Sequence, residues 1–133
     1  LMTMDGTVQN YVFSFTPDAN VWEKVVKTIP GNPNSEIDLD NGEGIRVRIM
    51  SYWGTNFTDP GVSEDTWFDW ATGTRVPDMA TDWTSTAGAT FDLTGVQLTA
   101  TDAPIEFQHE DYGTTLIKCQ RYYVDAGRIF AYI

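Results

Sequence analysis

The sequence predicts an all-β fold, an antiparallel β-sandwich of jelly-roll type with one short helix toward its C-terminal end. Three observations predict it. Short runs of alternating apolar and polar residues recur along the chain, Gly, Pro, Asn and Asp interrupt them at close intervals, and only one stretch carries helical spacing. A chain of 133 residues with 41% hydrophobic and 14% aromatic content is large enough for one packed core. No fixed-period repeat or low-complexity linker divides it, so a single domain over 1–133 is expected.

Thr7 to Phe15 reads as the first strand, with Val8, Tyr11, Phe13 and Phe15 mostly on one face. Val21 to Ile29 is the next: Val21, Val25 and Ile29 share one face, Trp22 and Val26 the other. Pro30-Gly31-Asn32-Pro33-Asn34 then breaks the chain. Gly44 to Met50 alternates most clearly, with Ile45, Val47 and Ile49 opposed to Arg46 and Arg48, the pattern of a sheet with one wet face. A loop over Asn56 to Ser63 leads to Trp67-Phe68-Asp69-Trp70. Thr90 to Leu98 is a further strand, in which Gly95 shifts the phase and suggests a bulge. Ile105 to Gln108 is a short strand. The helix follows, because Tyr112, Leu116, Cys119 and Tyr123 fall on one face at i, i+4, i+7 and i+11. Glu110 and Asp111 at its start and Lys118 and Arg121 near its end suit the helix dipole.

The formal net charge of −11 and a pI near 4.1 disfavour nucleic acid and anionic membrane surfaces as partners. No apolar run is long enough to span a bilayer. The one cysteine cannot form an internal disulfide, so the fold relies on its core or on partner subunits and suits a reducing cytoplasm. The apolar run Arg128-Ile129-Phe130-Ala131-Tyr132-Ile133 suggests a piece of a longer polypeptide.

Catalytic constellations are weak. His109, the only histidine, stands between Gln108 and Glu110 on an expected turn and reads as a surface residue. Cys119 lies on the apolar helix face, where packing is the simpler role. Asp65 and Asp69 are the best carboxylate pair for glycoside hydrolysis, but 19 acidic residues supply many such pairs by chance. One His and one Cys cannot make a zinc site. Asp38, Asp40 and Glu43, with Asn41, offer a weak calcium candidate; the Asn41-Gly42 hairpin signal is the stronger reading. No cofactor is expected.

Five tryptophans remain to be explained. Trp67, Trp70 and Trp83 fall in or near the loop-rich middle, just after Trp53. Aromatic faces stack on sugars while Asp, Asn and Arg bond the hydroxyls, so Trp67, Trp70, Trp83, Asp69 and Arg75 form the candidate glycan-binding set. Anchors of a protein interface and plain core filling are the competing roles.

The C-terminal third carries an ordered series of motifs. Thr94-Gly95-Val96-Gln97-Leu98 is followed by Ala103-Pro104-Ile105-Glu106-Phe107, Tyr112-Gly113, Leu116 and Cys119-Gln120-Arg121-Tyr122-Tyr123. Earlier come Trp22-Glu23-Lys24, Thr28-Ile29-Pro30-Gly31 and Asn41-Gly42-Glu43-Gly44-Ile45. The series resembles a family of tailed-bacteriophage virion proteins, tail-fibre or minor structural components, with "TWE…TIPG…DNGIGL" and "TGVQLE…TPFE…YGEEL…CQRYY" runs. Thr99, Ile105 and Thr114-Thr115 depart from that pattern without disturbing a strand or the helix.

The resemblance implies a β-sandwich similar to carbohydrate-binding modules, displayed on a phage particle, with no catalytic residues to carry over. The expected function is a non-catalytic fibre, spike or capsid-decoration module at the virion surface, synthesised in the host cytoplasm. Its partners would be copies of itself, most naturally as a homotrimer, other virion proteins, and host cell-surface glycan. A free-standing carbohydrate-binding module is the alternative, and a glycan depolymerase fragment a remote one. The segment Cys119 to Tyr123 reads as structural, with Arg121 pairing an acid such as Glu106 or Glu110 to lock the helix.

Overall fold

The computed structural model describes residues 1–71, 75–80 and 82–121. The chain gathers into two compact units, Leu1–Leu93 and Thr94–Ile133. The boundary is followed at once by Gly95, whose φ of +61° lies in the left-handed region that glycine enters without steric cost.

The first unit holds one four-stranded antiparallel sheet. Its strands are β1 (Met2–Thr3), β2 (Gln9–Tyr11), β3 (Ile45–Arg46) and β4 (Trp67–Asp69), in the spatial order β3-β1-β2-β4. Met2 pairs with both Asn10 and Arg46, and Thr3 with Gln9 and Ile45. On the other side of β2, Gln9, Asn10 and Tyr11 pair with Asp69, Phe68 and Trp67. Backbone bonds lengthen the ladder beyond the strands: Tyr11 N to Leu1 O and Trp70 N to Val8 O at 2.9 Å, and Asp65 N to Val12 O at 2.8 Å. Among the described residues the regular structure is one antiparallel sheet, one short α-helix and a single 3-10 turn, which is compatible with an all-β class.

Both central strands are buried at every position, so both faces of the sheet are covered there. Met2 and Tyr11 supply the apolar part of this core, and Val62 and Val76 a second part beside it. Of the buried polar residues Gln9, Asn10 and Thr58 have side-chain partners, whereas the Thr3 hydroxyl has none. Gln9 Nε2 donates to Asp69 Oδ1 at 2.7 Å, Asn32 Nδ2 donates to Gln9 Oε1 at 2.9 Å, and Asn10 Nδ2 donates to the Arg75 carbonyl at 2.8 Å. Buried amides with partners specify register as well as stability, because a one-residue slip would orphan all of them.

Several expected strands are shorter than their sequence pattern, or carry no ladder. The run over 7–15 pairs only at Gln9–Tyr11, and that over 44–50 only at Ile45–Arg46. Among the described residues no ladder includes 21–29, 90–98 or 105–108. The reason is partner supply: an alternating pattern states which residues share a face but not that anything lies across from them. Ile45, Val47 and Ile49, expected on a buried face, are all exposed. The Asn41-Gly42 hairpin is not formed either. The segments flanking it both pair toward β1, Glu36 through a bridge to Asp5 and β3 through its ladder. Residues 39–42 form a bend in which Gly42 N donates to Asp40 Oδ1 at 2.6 Å.

In the second unit the helix is where its spacing predicts. It is α1 (Tyr112–Gln120), with Asp111 as N-cap accepting from Thr114 N at 3.0 Å and Lys118 in the last turn. Lys118 pairs with Glu110. None of the helical residues is buried, and Cys119 is exposed, which corrects the expectation of a packed thiol. Tyr122, Tyr123 and the apolar run 128–133 lie outside the described residues.

Candidate functional site

Sheet geometry sorts the five candidate glycan-binding residues. Successive side chains on a strand point to opposite faces, and paired residues share one. Trp67 and Asp69, opposite Tyr11 and Gln9, therefore share one face of the sheet. Trp70 continues β4 one residue further and points to the other face, the side on which Asn10 bonds the Arg75 carbonyl. The sequence-derived set thus divides into two pairs and a solitary tryptophan.

On the first face Trp67 packs against Tyr11, with ring centroids 5.4 Å apart, and its indole N–H donates to Pro30 O at 2.7 Å. Burial pushes the Tyr11 phenol upward, reinforced by the Asp65 carboxylate. Asp65 also bonds Lys27 at 2.5 Å, and that bond raises the lysine. Asp69 lines a polar cleft of about 280 Å³ with Thr7, Gln9, Pro33, Asn34 and Glu36. With Asp65 held by Lys27 and Asp69 by Gln9, both carboxyls of the proposed hydrolytic pair already have partners.

The second face holds the more unusual arrangement. The Arg75 guanidinium lies 5.3 Å from the Trp70 ring, 5.2 Å from Phe57 and 5.9 Å from Trp53. Trp53 and Phe57 also touch each other, at 5.8 Å between centroids. The walls are pinned by backbone and side chain alike. Thr58 bridges Val76, Asp59 N donates to Val76 O at 3.0 Å, Thr58 Oγ1 donates to Asp78 Oδ1 at 2.6 Å, and Trp53 N reaches Met79 Sδ at 3.2 Å. Three rings around one cation are favourable, since each ring face is electron-rich and desolvation strengthens the attraction. Two donors in this box, Arg75 Nε and Trp70 Nε1, are buried and have no acceptor.

Sequence reasoning selects Trp70 and Arg75 but misses Trp53 and Phe57. They reach the box through the Thr58–Val76 bridge, a contact of sequence separation that no local pattern announces. Trp83 stands apart, in a 3-10 turn (Trp83–Ser85), donating to Ser51 O at 3.0 Å and lying 6.2 Å from Phe91. In the second unit His109 is exposed and packs edge-on against Phe107 at 4.8 Å, in a groove that also includes Val96, Leu98 and Glu110.

The calcium candidates are not gathered. Asp40 accepts from Gly42, Glu43 is bound to Arg46, which holds its pKa below the ordinary carboxylate value, and Asp38 contributes its backbone N–H to Asp5. Among the described residues no group of three or more His, Cys, Asp or Glu is placed to hold a metal ion. No described helix is long and apolar enough to cross a membrane.

Comparisons with protein-family models, with curated proteins and with solved structures give no match.

Proposed function

We propose that this chain is a non-catalytic structural module of a tailed-bacteriophage virion, a fibre, spike or capsid-decoration domain that packs against copies of itself. One observation carries the self-assembly. Four hydrophobic residues form the buried core, whereas twenty large ones are exposed among the described residues. Scattered apolar residues are normal on a surface, but runs of them mark interfaces. Here they come in runs: Val21, Trp22, Val25 and Val26; Ile45, Val47 and Ile49; Phe91, Leu93, Val96 and Leu98. The same segments carry few or no ladder bonds, so their backbone groups are available to a neighbouring chain.

In this reading three copies supply one another's missing strands, and each completed subunit is a jelly-roll sandwich. The motif series from Trp22 to Tyr123 supports the virion assignment, with the module at the particle surface after synthesis in the host cytoplasm. Other virion proteins would hold its ends, and host cell-surface glycan is the external ligand. Nucleic acid and membrane are not partners in this scheme, in keeping with the acidic surface. A free carbohydrate-binding module is the second reading, favoured by the aromatic box around Arg75.

Solution mass decides between them. Light scattering on a sizing column should return about 45 kDa, three times the 14.9 kDa of one chain. A single species at the monomer mass would remove the self-assembly reading and leave the binding module.

A further inference from the structure

The chain has 19 acidic residues against 8 Lys and Arg, so acids that could pair a cation are in excess. Lys27, Arg46 and Lys118 each pair with one. Arg75 does not: among the described residues its guanidinium meets only Trp53, Phe57 and Trp70. Removing a cation from water without giving it a counter-charge is unfavourable, and ring faces offset only part of that. Two buried donors of the same box, Arg75 Nε and Trp70 Nε1, also go without an acceptor. Native buried donors are nearly always satisfied, and exceptions mark places where something else binds or moves. Arg75 is half-buried and Phe57 is 46% exposed, so the box opens to solvent.

We propose that this box binds a carboxylate-bearing sugar of the uronic-acid class. The proposal rests on the glycan-contacting version of the function above and names the ligand chemistry. A carboxylate accepts two N–H groups from the guanidinium fork at once, which a neutral hydroxyl does not. The exposed aromatic edge of the box then covers the apolar C–H face of the sugar ring. The net charge of −11 repels anions at a distance, but at physiological salt that field is screened beyond about 8 Å. Selectivity is therefore set at contact, by Arg75.

The test compares methyl β-glucuronide with methyl β-glucoside, two ligands that differ only in a carboxylate against a CH2OH group. Both are titrated into the 133-residue chain at millimolar concentration, with binding read by ligand-observed NMR and calorimetry. The glucuronide should bind at least about tenfold more tightly. Arg75→Gln should make the two ligands equal, and Arg75→Lys, which keeps the charge but loses the fork, should fall between. Trp70→Phe keeps a ring and deletes one orphan donor, so it should reduce the preference in a chain whose fold is conserved; near-ultraviolet dichroism monitors that fold. Equal affinity of the two sugars for the unaltered chain overturns the proposal. So does a drop from trimer to monomer mass in Arg75→Gln with no sugar preference in the parent, because an acid of a neighbouring copy would then be the occupant. A trimer without sugar preference sinks this site alone, whereas a monomer that keeps the preference sinks self-assembly and retains the site.

Discussion

Gly6 holds φ at +60°, and a Cβ added there would lie 2.3 Å from a carboxylate oxygen of Glu36. The carboxylate is the end of a flexible side chain and can withdraw, so the clash is minor beside the backbone strain. An L-residue in the left-handed region costs about 1–2 kcal/mol, and Gly6→Ala should lower the urea midpoint accordingly with an unchanged slope. An unaltered midpoint would mean that the turn between β1 and β2 reshapes freely. The small core permits a sharper contrast. Val76 is 2% exposed and Leu39 is 107% exposed. Val76→Ala removes two buried methyl groups and leaves a gap, for a loss of about 2 kcal/mol. Leu39→Ala should stay within about 0.5 kcal/mol. Similar losses at the two positions would show that Leu39 is covered in solution.

At the scale of elements, α1 depends on its cap. Asp111 accepts from the Thr114 hydroxyl at 2.6 Å and from its backbone N–H at 3.0 Å. These bonds favour the ionised form and hold the Asp111 carboxyl below its ordinary range. A folded-state value lower than the unfolded one gives stability that is complete above the unfolded value, about 3.9, and is lost as pH falls through the folded one. Helical dichroism from α1 should therefore decline in acid below about pH 4. Asp111→Asn, which caps without titrating, should remove that decline; an unchanged acid profile in this variant would place the titration elsewhere. The helix was legible in the sequence for the same local reason: its cap, its spacing and Lys118 all lie within a dozen residues. The sheet was legible only in class. The β3–β1 pairing joins residues more than forty apart, and β1 is two residues long, too short for any pattern. Gly44 to Met50 shows the limit most clearly, because its alternation cannot say that only Ile45–Arg46 find a partner strand and that Ile45, Val47 and Ile49 stay exposed. The candidate site divides in the same way. Trp70 and Arg75 are near neighbours in sequence, whereas Trp53 and Phe57 join them only through folding.

At the scale of the whole molecule, two large terms oppose each other in assembly. Apolar burial favours it, at roughly 25 cal/mol for each Å² removed from water. Charge opposes it, since every copy carries a formal −11. Salt separates the two. Raising ionic strength from about 0.01 M to 0.15 M shortens the screening length from about 30 Å to 8 Å and weakens repulsion between copies, while leaving apolar contacts nearly untouched. The trimer fraction at fixed protein concentration should therefore increase with salt, as read by light scattering across that range. Replacing Val96 and Leu98 together by Ser should shift the mass toward 14.9 kDa at every salt concentration. Both side chains are exposed in the single chain, so the double substitution should leave the stability of the monomer within about 0.5 kcal/mol. The opposite salt response, dissociation as salt is added, would mean that ion pairs rather than these apolar runs join the copies. The surface to mutate next would then be the acidic one, beginning with Glu36 and Asp69 at the rim of the polar cleft.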